Sequence, residues 1–358
     1  MFWIMRPRRF YGVTLVTSSI LFFGSQTLMG QAGQVDQDSN PVSVPEQQSE
    51  PSDQKLSGSS PQLSKNLGYF WLPLASSVIP GLGQLAHGEY VRAGSYTGLY
   101  LLSQHHLDQS KEEFMQFRKS SEWASMTQLE RENEYVHGDM ARKVSYAAQV
   151  RLLTRSFSAW ETFRASLPSL QASGKFTFIK DDDSVSDLAM APFQFDFLKR
   201  KTTWIPLAIG AALYYYSAVL VPQVNTAVST DPLTGADTLY TLGTSWNAGT
   251  HEEMAFRGWL MPMLMEQTGD PISSNLISGA LFGGAHLNHI DAPLFQISLG
   301  WYLGWVTIRN QWRLSEAVFI HAWWDVFALL VNYQTRNTKL EGSANMLPLM
   351  LPPLKIVF

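Results

Sequence analysis

Cysteine is absent from all 358 residues, which excludes disulfide scaffolds, thiol nucleophiles, iron–sulfur clusters and cysteine-built zinc sites. Charge is scarce as well. Asp, Glu, Lys and Arg make up 16% of the chain, against roughly 25% in ordinary soluble domains. Basic residues are in no excess, and a net charge of −4 offers no electrostatic footprint for nucleic acid. Aromatic residues, by contrast, are plentiful at 13%, with 12 Trp. The mean hydropathy of −0.07 averages a polar first half with a very apolar second half. A chain of this length holds two average domains or one domain with appendages.

The first thirty residues have the pattern of a targeting segment. Arg6, Arg8 and Arg9 precede the uncharged, largely apolar stretch Tyr11–Phe23. Small and polar residues around Gly30–Gly33 then offer a cleavage site. Residues 1–30 are therefore a signal peptide or an uncleaved anchor helix; in both cases the arginines stay cytoplasmic and the following segment is exported. Residues 31–66, rich in Gln, Ser, Pro and acidic residues, have too little apolar surface to offset their ordering entropy and are expected to be a disordered exported linker.

From Tyr69 the character changes. Tyr69–Leu85 and Val91–Gln104 are apolar and separated by a polar turn, so 67–104 is expected to form a membrane hairpin or re-entrant pair. The run Pro80–Gly81–Leu82–Gly83–Gln84 interrupts helical geometry and is expected to be a kink or hairpin. Residues 105–200 form a polar, helix-forming insertion. In it Val150, Leu153, Phe157, Trp160 and Phe163 recur at helical intervals, the pattern of an amphipathic helix lying on a membrane or packed under other helices. The triplet Asp181–Asp183 is expected to be a solvated loop.

The second half is the membrane part. Thr202–Thr230 carries no charge, and the cluster Lys199–Lys201 before it marks a cytoplasmic flank. Further apolar segments follow near 239–265, 272–289, 292–308, 315–334 and 344–358, joined by short loops and without internal repeat. The fold class expected is all-α: a polytopic transmembrane helical bundle with an N-terminal targeting segment and a polar helical insertion.

Ionisable residues in this half are few and costly. His251, Glu252, Glu253 and Arg257 sit in one apolar segment, His286 and His289 in the next, and His321 and Asp325 in a third. A charge deep in a bilayer costs at least about 2.5–3.5 kcal/mol on insertion scales, so such groups face the interior, pair, or serve a reaction. Glu253 and Arg257 are four residues apart with Glu nearer the N-terminus, the favourable order for a pair on one helix face. Glu252 points about 100° away from Glu253. The spacing thus divides labour: Glu253–Arg257 structural, Glu252 chemical. His321 and Asp325 share a face, and Phe282 precedes His286 by one turn. His251 and His289 are read as core histidines, Asn288 as an interhelical hydrogen-bonding residue, and Trp323–Trp324 as packing aromatics.

Glu252-Glu253-Met-Ala-Phe-Arg257, Phe282-Gly-Gly-Ala-His286 and His321-Ala-Trp-Trp-Asp325 resemble, in this order, the three motifs of the CPBP intramembrane proteases. That family includes the type II CAAX prenyl endopeptidase and bacteriocin-processing or bacteriocin-immunity proteins. The resemblance covers about residues 200–335 and makes 201–358 a CPBP-like protease domain. It implies an intramembrane endopeptidase without metal or other cofactor, acting on a membrane-associated protein or peptide. Glu252 with His286 would activate a water. His321 and Asp325 would hold the scissile carbonyl oxygen, and Glu253, Arg257 and Phe282 would support them. An ionised Asp325 would repel an oxyanion, so it contributes only if protonated or by orienting His321.

Two other readings remain open. Glu252, His286, His321 and Asp325 could be a His/carboxylate zinc site, although the H-E-x-x-H pattern is absent. The chain could also be a non-proteolytic membrane scaffold, immunity or assembly factor. The exported linker and the apolar half suggest residence in a bacterial inner membrane.

Overall fold

The computed structural model describes residues 68–128, 130, 131, 134, 138–180, 183–220, 233–286 and 293–334. The targeting segment, the linker and the stretch 344–358 lie outside the described residues, as do Asp181, Asp182, Asn288 and His289. Among the described residues every regular element is helical. Helices α1 (Gly68–Val78), α2 (Leu82–Ala86), α3 (Tyr90–Phe117), α4 (Ser121–Ser125) and α5 (Asp139–Ala172) form the first part. The second comprises α6 (Val185–Met190), α7 (Lys201–Tyr215), α8 (Gly235–Ala255), α9 (Met261–Thr268), α10 (Pro271–Ala285), α11 (Pro293–Arg309) and α12 (Ser315–Gln334).

The 34-residue α5 joins the two parts. Its periodic apolar residues are packed under other helices: Phe157, Trp160 and Phe163 are all buried. Trp160 meets Met254 of α8 in one apolar cluster, and Phe163 meets Met261 and Trp312 in another. At its N-terminal end α5 pairs Arg142 with Asp237 and bonds Ser145 to Tyr240 at 3.0 Å. Contacts that advance together along both chains make α5 and α8 parallel neighbours.

The Pro-Gly-Leu-Gly-Gln run is a turn docked on α5. Gly81 N–H donates to Ser158 Oγ (2.8 Å), Gly83 N–H to Ser76 Oγ (2.6 Å) and the Gln84 amide to the Ser158 carbonyl (3.0 Å). A Cβ on Gly83 would lie 1.9 Å from Thr162 Oγ1, so only glycine lets the turn approach this closely. The turn thus satisfies its buried backbone groups with small hydroxyls of two helices.

The acidic triplet differs from the solvated loop expected of it, at least at its described member. Asp183 is buried and accepts from the Leu314 N–H, the Ser315 hydroxyl and Arg313. Its carboxylate meets the Leu314 N–H at the start of α12, which has no partner within the helix, a favourable place for negative charge. At the start of α10, bonds from the Ser273 hydroxyl and backbone to Asp270 hold its exposed carboxyl below the usual range.

Among the described residues, one helical stretch is long and apolar enough to cross a bilayer alone, the 20-residue Lys201–Leu220, whose 18-residue apolar window has a mean hydropathy of 1.3. Helices α10 and α11 have 15 and 17 residues, short of the roughly 20 a perpendicular span needs. Large apolar side chains nevertheless face outward along four helices. They include Trp204 and Ile209 of α7, Leu239 and Leu242 of α8, Ile272 and Leu276 of α10, and Trp301 and Trp305 of α11. An apolar exterior this extensive marks contact with a membrane or another protein.

Candidate active site

The site is built where α8, α10 and α12 meet. A Cβ on Gly249 would lie 2.7 Å from the Ala322 backbone nitrogen, so α8 and α12 touch almost backbone to backbone. That contact lies one turn before Glu252 on α8 and next to His321 on α12, which sets the two side by side. Immediately beyond, α8 widens into a π-type turn over Phe256–Leu260 that carries Arg257. Such turns recur at functional sites because the extra residue re-aims neighbouring side chains.

All seven residues singled out from the sequence come together. Glu252 faces three imidazoles: His286 Nε2 lies 3.6 Å and His321 Nε2 3.8 Å from its Oε2, and His251 Nε2 lies 3.9 Å from its Oε1. Asp325 Oδ2 is 3.6 Å from the same His321 nitrogen. Glu253 and Arg257 are fully buried and paired at 2.8 Å. Phe282, also fully buried, is the floor of the cluster. Its ring centre lies 4.6 Å from that of His286, 5.8 Å from that of His321, and 4.4 Å from the Arg257 guanidinium carbon above it. A cation over a desolvated ring face is held by the ring quadrupole.

The hydrogen bonds fix the tautomers. His286 Nδ1 lies 2.7 Å from the Phe282 carbonyl and His251 Nδ1 lies 2.7 Å from the Asn247 carbonyl. A carbonyl only accepts, so both Nδ1 atoms carry the hydrogen. His321 Nδ1 lies 2.8 Å from Glu253 Oε1, which is paired with Arg257, and it donates likewise. Each imidazole therefore spends its Nδ1 hydrogen away from Glu252 and turns Nε2 toward it.

Three contacts were beyond sequence reasoning. Glu253, read as a structural partner of Arg257 alone, also anchors His321 across the helix interface. Arg257 donates to the Gly300 carbonyl of α11 at 2.8 Å. His251, read as a core histidine, borders Glu252; its one sequence signal was direct adjacency to the acid. The packing reading of the tryptophans fits their contacts: Trp323 donates to the Pro192 carbonyl at 2.9 Å, and Trp324 stacks on Phe295. Among the described residues no group of three or more His, Asp or Glu is arranged to hold a metal ion.

Residues 234–327, which enclose all three motifs, match the family described as type II CAAX prenyl endopeptidase Rce1-like. That stretch is similar to the CAAX-protease family. That family is membrane-embedded and proteolytic. The matched stretch begins just before α8 and ends inside α12, so every residue of the site lies within it. No curated protein and no solved structure matches the chain.

Proposed function

We propose that the chain is an intramembrane endopeptidase that hydrolyses a peptide bond of a membrane-associated protein or peptide with a water activated by Glu252 and His286. The observation that carries this is the convergence on Glu252 of imidazole nitrogens whose hydrogens are committed elsewhere. A water donating one hydrogen to Glu252 and the other to His286 Nε2 turns its lone pair outward as a nucleophile. Separations of 3.6–3.9 Å exceed a direct hydrogen bond, so the buried Glu252 Oε2 has no protein donor and is open to such a water.

The proton taken from water then passes to the leaving amine, with Glu252 as carrier. His321 Nε2 is the group suited to the developing oxyanion. Because its Nδ1 donates to Glu253, it donates from Nε2 only when the ring carries two protons. Glu253 and Arg257 hold that ring in place, and Asp325 stands beside its working nitrogen as a positioning residue. The apolar exterior of α7, α8, α10 and α11 supports a bilayer setting in which these helices act together, and the N-terminal targeting pattern supports a bacterial inner membrane.

The test is a proteomic comparison of wild-type and Glu252→Gln cells. A membrane-proximal fragment present in the first and missing in the second is expected. Full biological function with folded Glu252→Gln and His286→Ala proteins would favour a non-proteolytic scaffold or immunity factor instead.

A further inference from the structure

Two buried carboxamides have no hydrogen-bond partner. Gln149 of α5 is 0% exposed with both Oε1 and Nε2 unpaired, and Asn247 of α8 is 1% exposed with both Oδ1 and Nδ2 unpaired. Polar atoms withdrawn from bulk solvent cost stability unless something satisfies them, and in proteins that something is ordered water.

Their placement is not random. Arg142–Asp237 and Ser145–Tyr240, both 95 residues apart, set α5 and α8 side by side and parallel. That register brings Gln149 level with Thr244 and within one turn of Asn247. On α8, Tyr240, Thr244, Asn247 and His251 share one face at helical spacing, and Tyr240 touches Ser145, so this is the face turned to α5. The stripe ends at His251, whose Nδ1 hydrogen goes to the Asn247 carbonyl and whose Nε2 faces Glu252 Oε1, the oxygen that His286 and His321 leave free. Further along, the contact between the two helices turns apolar, with Phe157 and Trp160 against Met254.

We propose that the polar seam between α5 and α8 is a water-binding site in which Gln149 and Asn247 hold a short file of water molecules leading through His251 to Glu252. The supply role rests on the hydrolytic reading, since each turnover consumes one water at a glutamate only 6% exposed. The hydration itself does not depend on that reading. In the seam His251 is a positioning residue, accepting from the last water on the Oε1 side of Glu252.

Hydroxyl-radical labelling of the full chain in lipid nanodiscs, read by mass spectrometry, tests the site with an internal control. Tyr240 and Phe157 are both reactive aromatics, 2% and 5% exposed, but Tyr240 borders the polar seam while Phe157, which has no polar side-chain atom, lies in the apolar cluster. Radicals formed from bound water should label Tyr240 and spare Phe157, and Gln149→Leu or Asn247→Leu, introduced singly, should abolish the Tyr240 signal. Tyr240 labelling no stronger than that of Phe157, or labelling unchanged in both variants, overturns the proposal. A variant in which Phe157 becomes labelled has lost its core, and the wild-type contrast then decides alone. Labelling that persists in a chain without proteolytic activity keeps the hydrated seam and removes the protease reading. A proteolytically active chain with a dry Tyr240 does the reverse.

Discussion

Replacing Arg257 by alanine is the sharpest test of how this site is held together. The side chain is fully buried, pairs with Glu253 at 2.8 Å, donates to the Gly300 carbonyl at 2.8 Å and lies over Phe282. Its removal strands the Glu253 carboxylate in the interior, which costs about 3–5 kcal/mol. The Gly300 carbonyl also loses its donor, adding about 1–3 kcal/mol. The loss of about 4–8 kcal/mol rivals the whole stability of an ordinary domain, about 5–15 kcal/mol. At about 1.4 kcal/mol per factor of ten, even the lower figure shifts the folding ratio roughly a thousandfold.

Steady-state abundance in membranes and thermal unfolding of the detergent-solubilised protein both read this effect, and both are expected to fall steeply. Arg257→Lys should lie in between, because an ammonium reaches Glu253 but lacks the planar fork that also serves Gly300. Glu253→Gln combined with Arg257→Met should recover part of the loss, since no bare charge is then buried. Equal abundance and equal melting of wild type and Arg257→Ala would refute the argument, as would a double variant no better than the single one.

Other consequences follow from the same geometry. Glu252→Gln keeps the side-chain volume but not the base, so cleavage should vanish while melting stays near wild type. His321→Ala should lower kcat by about 10²–10³, the usual effect of removing one oxyanion donor, with a smaller change in KM. Gly83→Ala should cost about 1–3 kcal/mol in melting experiments because its methyl collides with Thr162, and Thr162→Ala should restore only part of it, since Ser76 Oγ would still lie 2.6 Å from the methyl. Chelators should leave proteolysis unchanged. A loss that added zinc reverses would favour the zinc-site reading instead.

What the sequence determined by itself is what helical periodicity determines. An α-helix repeats every 3.6 residues whatever surrounds it, so Glu253 with Arg257, His321 with Asp325 and Phe282 with His286 were legible as pairs before any coordinates. The cost of ionisable groups in apolar segments likewise singled out the three segments that build the site. Contacts between helices depend instead on how closely backbones approach and at what register, and no local pattern encodes that. The absent side chain at Gly249 brings Ala322 against α8 and thereby gives Glu253 a second partner in His321. Arg257 found the carbonyl of Gly300 only because α11 passes beside it. Asp183, on a stretch that looked solvated, is buried because the chain returns there to meet the start of α12. The tertiary structure alone turned three i,i+4 pairs into one cluster, because bond geometry fixes neighbours along a helix while packing chooses neighbours across it.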